Sequence, residues 1–131
     1  MSEILEAPVK ERVNTRPIDQ AVLDVQDFNE RIVGAYNGNE LRVVKVEGEF
    51  VWHSHADTDE LFLVLSGELT MHFRDRTEVL KPGEIIVVPR GTAPKPAARG
   101  ECHLLTIDAE GTVNTGDVKD SALTREALER L

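Results

Sequence analysis

The sequence has little of what marks several classes of protein. Its 131 residues include a single cysteine, Cys102, which excludes an intrachain disulfide. Cys102 lies in an apolar stretch, so we expect a buried and inert thiol. The longest apolar run covers about residues 61–65, far short of the roughly 20 residues of a membrane span. The amino terminus is acidic, unlike the basic start of a signal peptide. These absences predict a soluble, cytoplasmic protein with no membrane partner.

Positive charge is also scarce. The chain has 15 Lys and Arg against 24 Asp and Glu, a formal net charge of -9. Such a surface repels phosphate backbones, so we expect no nucleic-acid partner. There is no glycine-rich phosphate loop and no catalytic Ser/His/Asp arrangement. Cys102 and His103 cannot form a nucleophile–base pair, because neighbours on a strand face opposite sides.

Short β-strands dominate the rest of the sequence. Residues 41–47 alternate apolar and charged side chains, and residues 50–55 are expected to form a second strand. Further strands are expected at residues 60–65, 68–73, 77–80, 85–88 and 102–108, separated by turns such as Pro82-Gly83. Closely spaced turns of this kind favour an antiparallel sandwich or barrel. The fold class predicted is therefore all-β.

The length suits one domain over residues 1–131. Its core is expected at about residues 30–118, with an amino-terminal arm over residues 1–16. The tail, residues 119–131, contains the best helical candidate, since Thr124 is placed to cap it and Glu126 and Arg130 form an i,i+4 pair. We therefore expect a short carboxy-terminal helix, stabilised by docking on the barrel.

One short stretch carries the candidate chemistry. His53 and His55 are two residues apart, so an extended strand places both imidazoles on one face. Glu60 begins the next expected strand, where an inward carboxylate reaches the same point. Two histidines and one carboxylate with open positions form the ligand set of non-haem Fe(II) sites. Trp52 points the other way, towards a second sheet layer or a subunit interface.

This stretch resembles the first signature motif of the cupin superfamily. That motif runs glycine, His-x-His, three or four residues, glutamate, six residues, glycine, and here it is carried by Gly48, His53, His55, Glu60 and Gly67. Four residues separate Gly48 from His53, where five are usual. The second motif is similar to Gly83, Pro89 and Gly91, and the resemblance extends to residues 111–117. It is typical of small single-domain cupins similar to mannose-6-phosphate isomerase, and it implies an antiparallel double-stranded β-helix, or jelly-roll barrel, that forms a homodimer.

The second motif departs from the family at Pro94. A histidine is expected there, and proline offers no lone pair to a metal. Three outcomes stay open: His53, His55 and Glu60 bind a divalent Fe, Mn, Ni or Zn ion with waters filling the gaps; His103 or His72 supplies the missing ligand; or the pocket binds an organic ligand without metal. The second is disfavoured. His72 is out of phase with its apolar neighbours, and His103 is expected to be satisfied at a surface.

Two functions follow from these alternatives. The first is a metal-dependent oxygenase or isomerase acting on a small polar organic molecule. The second is a non-catalytic barrel that binds or senses a small molecule and has lost its metal. A homodimer is also supported by outward-facing Trp52 and by an apolar amino-terminal segment that needs covering. That segment comprises Ile18, Val22, Leu23, Val25 and Phe28.

Overall fold

The computed structural model describes residues 18–118, 121–125 and 128–130, and the expected arm at residues 1–16 lies outside them. Its elements are α1 Ile18–Leu23, β1 Arg31–Tyr36, β2 Asn39–Glu49, β3 Glu60–Ser66, β4 Leu69–His72, β5 Thr77–Leu80, β6 Ile85–Val88, β7 Lys95–Ala109 and β8 Glu129–Arg130. Strands predominate, and every strand pair is antiparallel except β1 with β8. The all-β prediction is confirmed.

Strand β7 organises the rolled sheet. One of its edges pairs with β2 along most of its length. Its other edge pairs first with β4, at residues 95–97, and then with β3, at residues 103–107. Strand β6 pairs with β3, and β5 pairs with β4. The fold is the antiparallel jelly-roll barrel that the motifs predict.

Alternating burial separates the inside of the barrel from its outside. On β3 the buried positions are Glu60, Phe62 and Val64, with half-buried residues between them. Strands β2 and β7 contribute inward aliphatic side chains that include Val44, Val46 and Leu104. Each such side chain contributes about 1.5–3 kcal/mol on burial, so this interior is the main source of stability.

A second apolar cluster lies outside the barrel, where α1 covers the sheet. Ala21, Val22 and Val25 pack there against Val33 and Val43. Ala21 and Val22 belong to α1, and Val25 follows two residues after its end. The apolar amino-terminal segment is therefore largely covered by its own chain, although Leu23 remains 50% exposed.

The hairpin between β3 and β4 requires glycine at position 67. Gly67 has a φ of 80°, in the left-handed region that favours glycine. A Cβ atom there would lie 2.5 Å from the Glu101 carbonyl oxygen and 2.9 Å from the Cys102 Cα. Cys102 itself is buried, as expected, and burial raises the pKa of its thiol to about 11.

The predicted carboxy-terminal helix is wrong for the residues that can be described. Residues 121–125 form turns, and Glu129–Arg130 forms β8 beside β1. The expected cap, Thr124, instead shares a hydrogen bond of 2.7 Å with the Thr115 hydroxyl. Tertiary contacts of this kind outweigh the weak intrinsic preference of a short helix. Glu126, of the predicted ion pair, lies outside the described residues.

Candidate metal centre

The segment that carries the two histidines is not a strand, contrary to the prediction for residues 50–55. It runs beside residues 91–96 and makes isolated backbone bonds to them. Phe50 N–H donates to Pro96 O (2.8 Å), His53 N–H donates to Pro94 O (3.2 Å), and Gly91 N–H donates to His55 O (2.9 Å). Proline has no N–H to donate, so Pro94 and Pro96 leave the ladder incomplete.

The imidazoles of His53 and His55 nevertheless meet. Their ring centroids are 5.1 Å apart and nearly perpendicular, at 87°. Glu60, the first residue of β3, points inward, and its Oε1 lies 3.5 Å from His55 Nε2. One ligand atom from each of these three residues lies within 4.8 Å of the other two. The three predicted ligands therefore come together inside the barrel.

A loop after β7 holds the histidine segment from the other side. Ser54 N–H donates to Asp117 Oδ1 (2.7 Å), and Asp117 N–H donates back to Ser54 O (3.0 Å). Gly116 lies against the same peptide. A Cβ atom there would overlap the Ser54 carbonyl oxygen and lie 3.2 Å from His55 Cε1. This loop fixes the backbone between the two imidazoles.

The protonation pattern of the histidines suits a metal. His53 Nδ1 lies 2.9 Å from Val51 O, so a proton on Nδ1 leaves the Nε2 lone pair free. His55 Nε2 is buried and has no hydrogen-bond partner among the described residues. Burial lowers the pKa of both imidazoles and so favours their neutral, metal-binding form. An unpaired buried nitrogen facing a carboxylate fits a divalent cation.

A second carboxyl group stands beside Glu60. The pairing of Leu61 with Ile107 places Glu60 opposite Asp108 on the inner face of the sheet. Burial, and then contact with Glu60, raises the pKa of Asp108 to about 9. Burial also raises the pKa of Glu60, to about 7. Both Asp108 carboxyl oxygens are buried, and neither has a hydrogen-bond partner within the described part of the chain.

Sequence reasoning also missed a buried charge cluster under the site. Arg42 is 1% exposed, and its guanidinium contacts Glu40 (2.7 Å) and Glu30 (3.1 Å). Residues 41–47 were expected to alternate apolar and charged side chains, and the structure turns Arg42 towards the interior. The spacing of Glu40 and Arg42, two apart on one strand, was the available signal. No pattern in the sequence indicated that Asp108 or Glu30 would lie near the site.

The other two histidines do not join the site, which confirms their expected positions. On β4 burial alternates, so half-buried His72 lies on the face opposite the fully buried Met71. Its Nδ1 is 3.3 Å from the Thr77 hydroxyl. His103 is half-buried on the outer face of β7, with Nε2 2.8 Å from Glu101. Pro94, by contrast, is buried, and its carbonyl oxygen accepts a hydrogen bond from His53 N–H.

Trp52 is covered within its own chain. The guanidinium of Arg74 lies 3.7 Å from the centre of its ring, and Lys95 Nζ lies 5.7 Å from it. Cation–π contacts of this kind satisfy an outward-facing indole. Of the two expected covers, a second sheet layer or a subunit interface, the sheet layer is replaced by these two basic side chains.

Residues 40–108, from the start of β2 to the end of β7, match the family described as the cupin domain. The chain belongs to the cupin family. A cupin-2 domain protein of Shewanella frigidimarina NCIMB 400 is 41% identical, with a TM-score of 0.70 over 76% of this chain and 97% of that one. The uncharacterized protein YdbB of Bacillus subtilis (strain 168) is 43% identical over 61 residues, which are 46% of this chain and 54% of YdbB.

More distant solved structures share the fold alone. The hydroquinone 1,2-dioxygenase PnpCD, solved with Cd²⁺ and 4-hydroxybenzonitrile, is 18% identical, with a TM-score of 0.64 over 73% of this cupin and 72% of that chain. No helix in the described part of the cupin is long and apolar enough to cross a membrane.

Proposed function

We propose that this cupin is a mononuclear metal enzyme of the oxygenase type, with His53, His55 and Glu60 as the metal ligands. The observation that carries the proposal is the convergence of the three ligand atoms within 4.8 Å of one another. The buried, unpaired Nε2 of His55 supports it, because an unsatisfied buried nitrogen costs free energy that a metal bond would recover. Two histidines and one carboxylate suit Fe(II), and also Mn, Ni or Zn.

Each part of the chain has a defined task in this proposal. A bound ion would act as a Lewis acid and, as Fe(II), would supply a site for O₂. The Asp117–Ser54 contact holds the two imidazoles in place, and the buried Asp108 lies opposite the Glu60 carboxylate that would bind the ion. Since Pro94 supplies no ligand, positions around the ion stay open for a small organic molecule.

Metal titration of the native protein and of Pro94→His tests the proposal. We expect the native protein to bind one ion per chain, measured calorimetrically with Fe(II), Mn(II), Ni(II) and Zn(II) after chelator treatment. Pro94→His should bind at least about 10-fold more tightly, on the order of 1.4 kcal/mol, because it restores a fourth ligand beside His53. Below pH 7 the affinity should fall, since Glu60, with a pKa of about 7, takes up a proton.

Pro94→Ala is the matched control, because it removes the proline ring without adding a ligand. It should bind metal as the native protein does. If no ion binds stoichiometrically at pH 8, the enzyme proposal fails. If metal binds but Pro94→His gains nothing, position 94 does not face the histidines.

Pro94 also favours a second candidate, a small-molecule binding protein that works without metal. Losing one of the family's four ligands weakens any site. Stabilisation by an organic ligand that a chelator does not abolish would support this candidate over the enzyme. The buried, single cysteine is in keeping with a cytoplasmic location, which we also propose.

We further propose that the cupin is a homodimer that associates through β6. Ile85 and Val87 are 58% and 51% exposed, and they pair with Leu63 and Leu61 in an apolar outer patch. Within the described residues β6 pairs with β3 alone, which leaves its other edge open. The patch carries no charge, so two chains of net charge -9 can meet there without like-charge contact.

Light scattering is expected to give about twice the chain mass of 14.6 kDa. Val87→Glu should give the monomer mass, because it places two carboxylates in an apolar contact. The control is Val79→Glu, at a residue that is 51% exposed on β5, a strand that does not pair with β6. A monomeric native protein, or a dimer unaffected by Val87→Glu, would contradict this interface.

A further inference from the structure

A cavity of about 40 Å³ opens beside the candidate ligands. Phe28, Phe50 and Phe62 form its aromatic walls, and Val44, Val46 and Leu104 form its aliphatic side. His53 and Glu60 also line it, so a molecule in the cavity lies next to the metal position. A volume of about 40 Å³ is room for about three waters, so the enclosed part accepts only the oxygen-bearing end of a molecule. The rest of the molecule lies at the open side, beside the half-buried Phe28 and Phe50.

The described side chains that line the cavity supply no positive charge to receive an anion. Among the described residues that line it there is no lysine or arginine, while Glu30 and Glu60 both reach it. Arg42 lies behind Glu30 and is already neutralised by Glu30 and Glu40. A carboxylate or phosphate here would be desolvated beside two acidic groups, an unfavourable placement in a low-dielectric interior.

One polar group in the cavity has no partner. Thr106 is 1% exposed, lines the cavity, and its Oγ1 makes no hydrogen bond within the described chain. A buried hydroxyl without a partner is uncommon, because it costs about 1–3 kcal/mol. It can donate to, or accept from, one oxygen of a bound molecule.

The mouth of the cavity is formed by rings held in fixed positions. Phe28 has a φ of 64°, a strained value for a bulky residue, and stacks on Phe50 with centroids 5.3 Å apart. Phe50 in turn makes an edge contact with His53, also at 5.3 Å. The ring of Phe28 therefore limits the size of a molecule that enters the cavity. The contacts from Phe28 to Phe50 and from Phe50 to His53 connect this wall to the candidate ligands.

From these observations we infer that a neutral, mainly apolar small molecule with one hydrogen-bonding oxygen, such as a phenol, places that oxygen in the cavity and its apolar body against the half-buried rings at the open side. The metal-free protein rejects carboxylates and sugar phosphates. The inference rests on the proposed function for the role of the molecule as substrate, and replaces the polar substrate expected from the sequence. Thr106 receives the oxygen, and Phe28 and Phe50 contact the apolar body.

Calorimetric titration with four probes tests the inference: phenol, toluene, benzoate and glucose 6-phosphate. In metal-free protein phenol should bind at least about 10-fold more tightly than benzoate, because benzoate must lose its hydration without a counter-charge. Glucose 6-phosphate should not bind. Tighter binding of either anion than of phenol would overturn the inference.

Thr106→Val is the matched variant, since it keeps the shape and removes the hydroxyl. It should lower the affinity for phenol by about fivefold, which corresponds to the loss of one neutral hydrogen bond. The affinity for toluene should stay unchanged. An equal change for both probes would exclude Thr106 as the oxygen-binding group. Phe28→Ala is a second test, at a half-buried residue that lies outside the strands. It should raise the affinity for 2-naphthol relative to phenol, and an unchanged ratio would show that Phe28 does not limit entry.

The same titrations separate this inference from the enzyme proposal. Phenol binding to the metal-free protein supports the cavity assignment even if no metal ever binds. Stoichiometric metal binding without any phenol binding, in either the metal-free or the Zn(II)-loaded protein, overturns the cavity assignment and leaves the metal centre standing.

Discussion

Arg42→Met is expected to destabilise the barrel by about 3–5 kcal/mol, the usual cost of breaking a buried ion pair from one side. Methionine fills a similar volume, so little of the loss comes from a cavity. The loss arises because Glu30 and Glu40, 8% and 4% exposed, keep their carboxylates without the guanidinium that contacts both. Urea unfolding followed by circular dichroism measures the free energy of unfolding.

The pH dependence of this loss has a definite sign. Burial already raises the pKa of Glu30 to about 7, even with the Arg42 guanidinium beside it. A raised carboxyl pKa stabilises the fold below the unfolded pKa, and that stabilisation disappears as the pH rises through the folded value. Without Arg42 the pKa of Glu30 rises further. Arg42→Met should therefore be more destabilised at pH 8 than at pH 5.

Two controls isolate the buried pair. The triple variant Glu30→Gln, Glu40→Gln, Arg42→Met removes all three charges and should recover much of the lost stability. Arg130, whose side chain is 63% exposed, also contacts Glu40, and Arg130→Met should change stability by at most about 1 kcal/mol. If Arg42→Met and Arg130→Met lowered the free energy of unfolding by similar amounts, burial would not explain the contribution of Arg42 to stability.

The residues that the sequence placed correctly are those whose position depends on local spacing. The interval between His53 and His55 brought their rings together even though the segment is not a strand. Glu60 starts β3 as expected, and the odd–even alternation after it put Phe62 and Val64 inside. Local patterns of this kind are sufficient when the partner across the sheet only has to be apolar.

The errors have a different physical origin. The strand expected at residues 50–55 fails because its neighbour contains Pro94 and Pro96, and a pairing defect on another segment leaves no trace in the local pattern. The terminal helix fails because residues 114 and 115 bond to residues 123–125 and fix turns there. Asp108 and Glu30 reach the site only because segments far apart in the sequence pack together. Local residue spacing does not predict such contacts.

Removing either candidate imidazole should nearly abolish metal binding. We expect His53→Ala and His55→Ala each to lower the affinity for Zn(II) at least about 100-fold, roughly 2.8 kcal/mol, since each leaves two of three protein ligands. The fold should persist, because the barrel is stabilised mainly by its aliphatic interior and not by these two side chains. Calorimetric titration gives the affinity, and thermal unfolding confirms the fold.

The chain supplies its own controls for this experiment in His72 and His103. Both lie outside the cluster, bonded to Thr77 and Glu101, and their replacement by alanine should leave metal affinity unchanged within about twofold. Adventitious zinc binding to imidazoles would give comparable losses in all four variants, because it depends on the number of histidines and not on their convergence. A loss confined to His53 and His55 can arise only from a site where these two rings act together, which is what their contact with each other and with Glu60 requires.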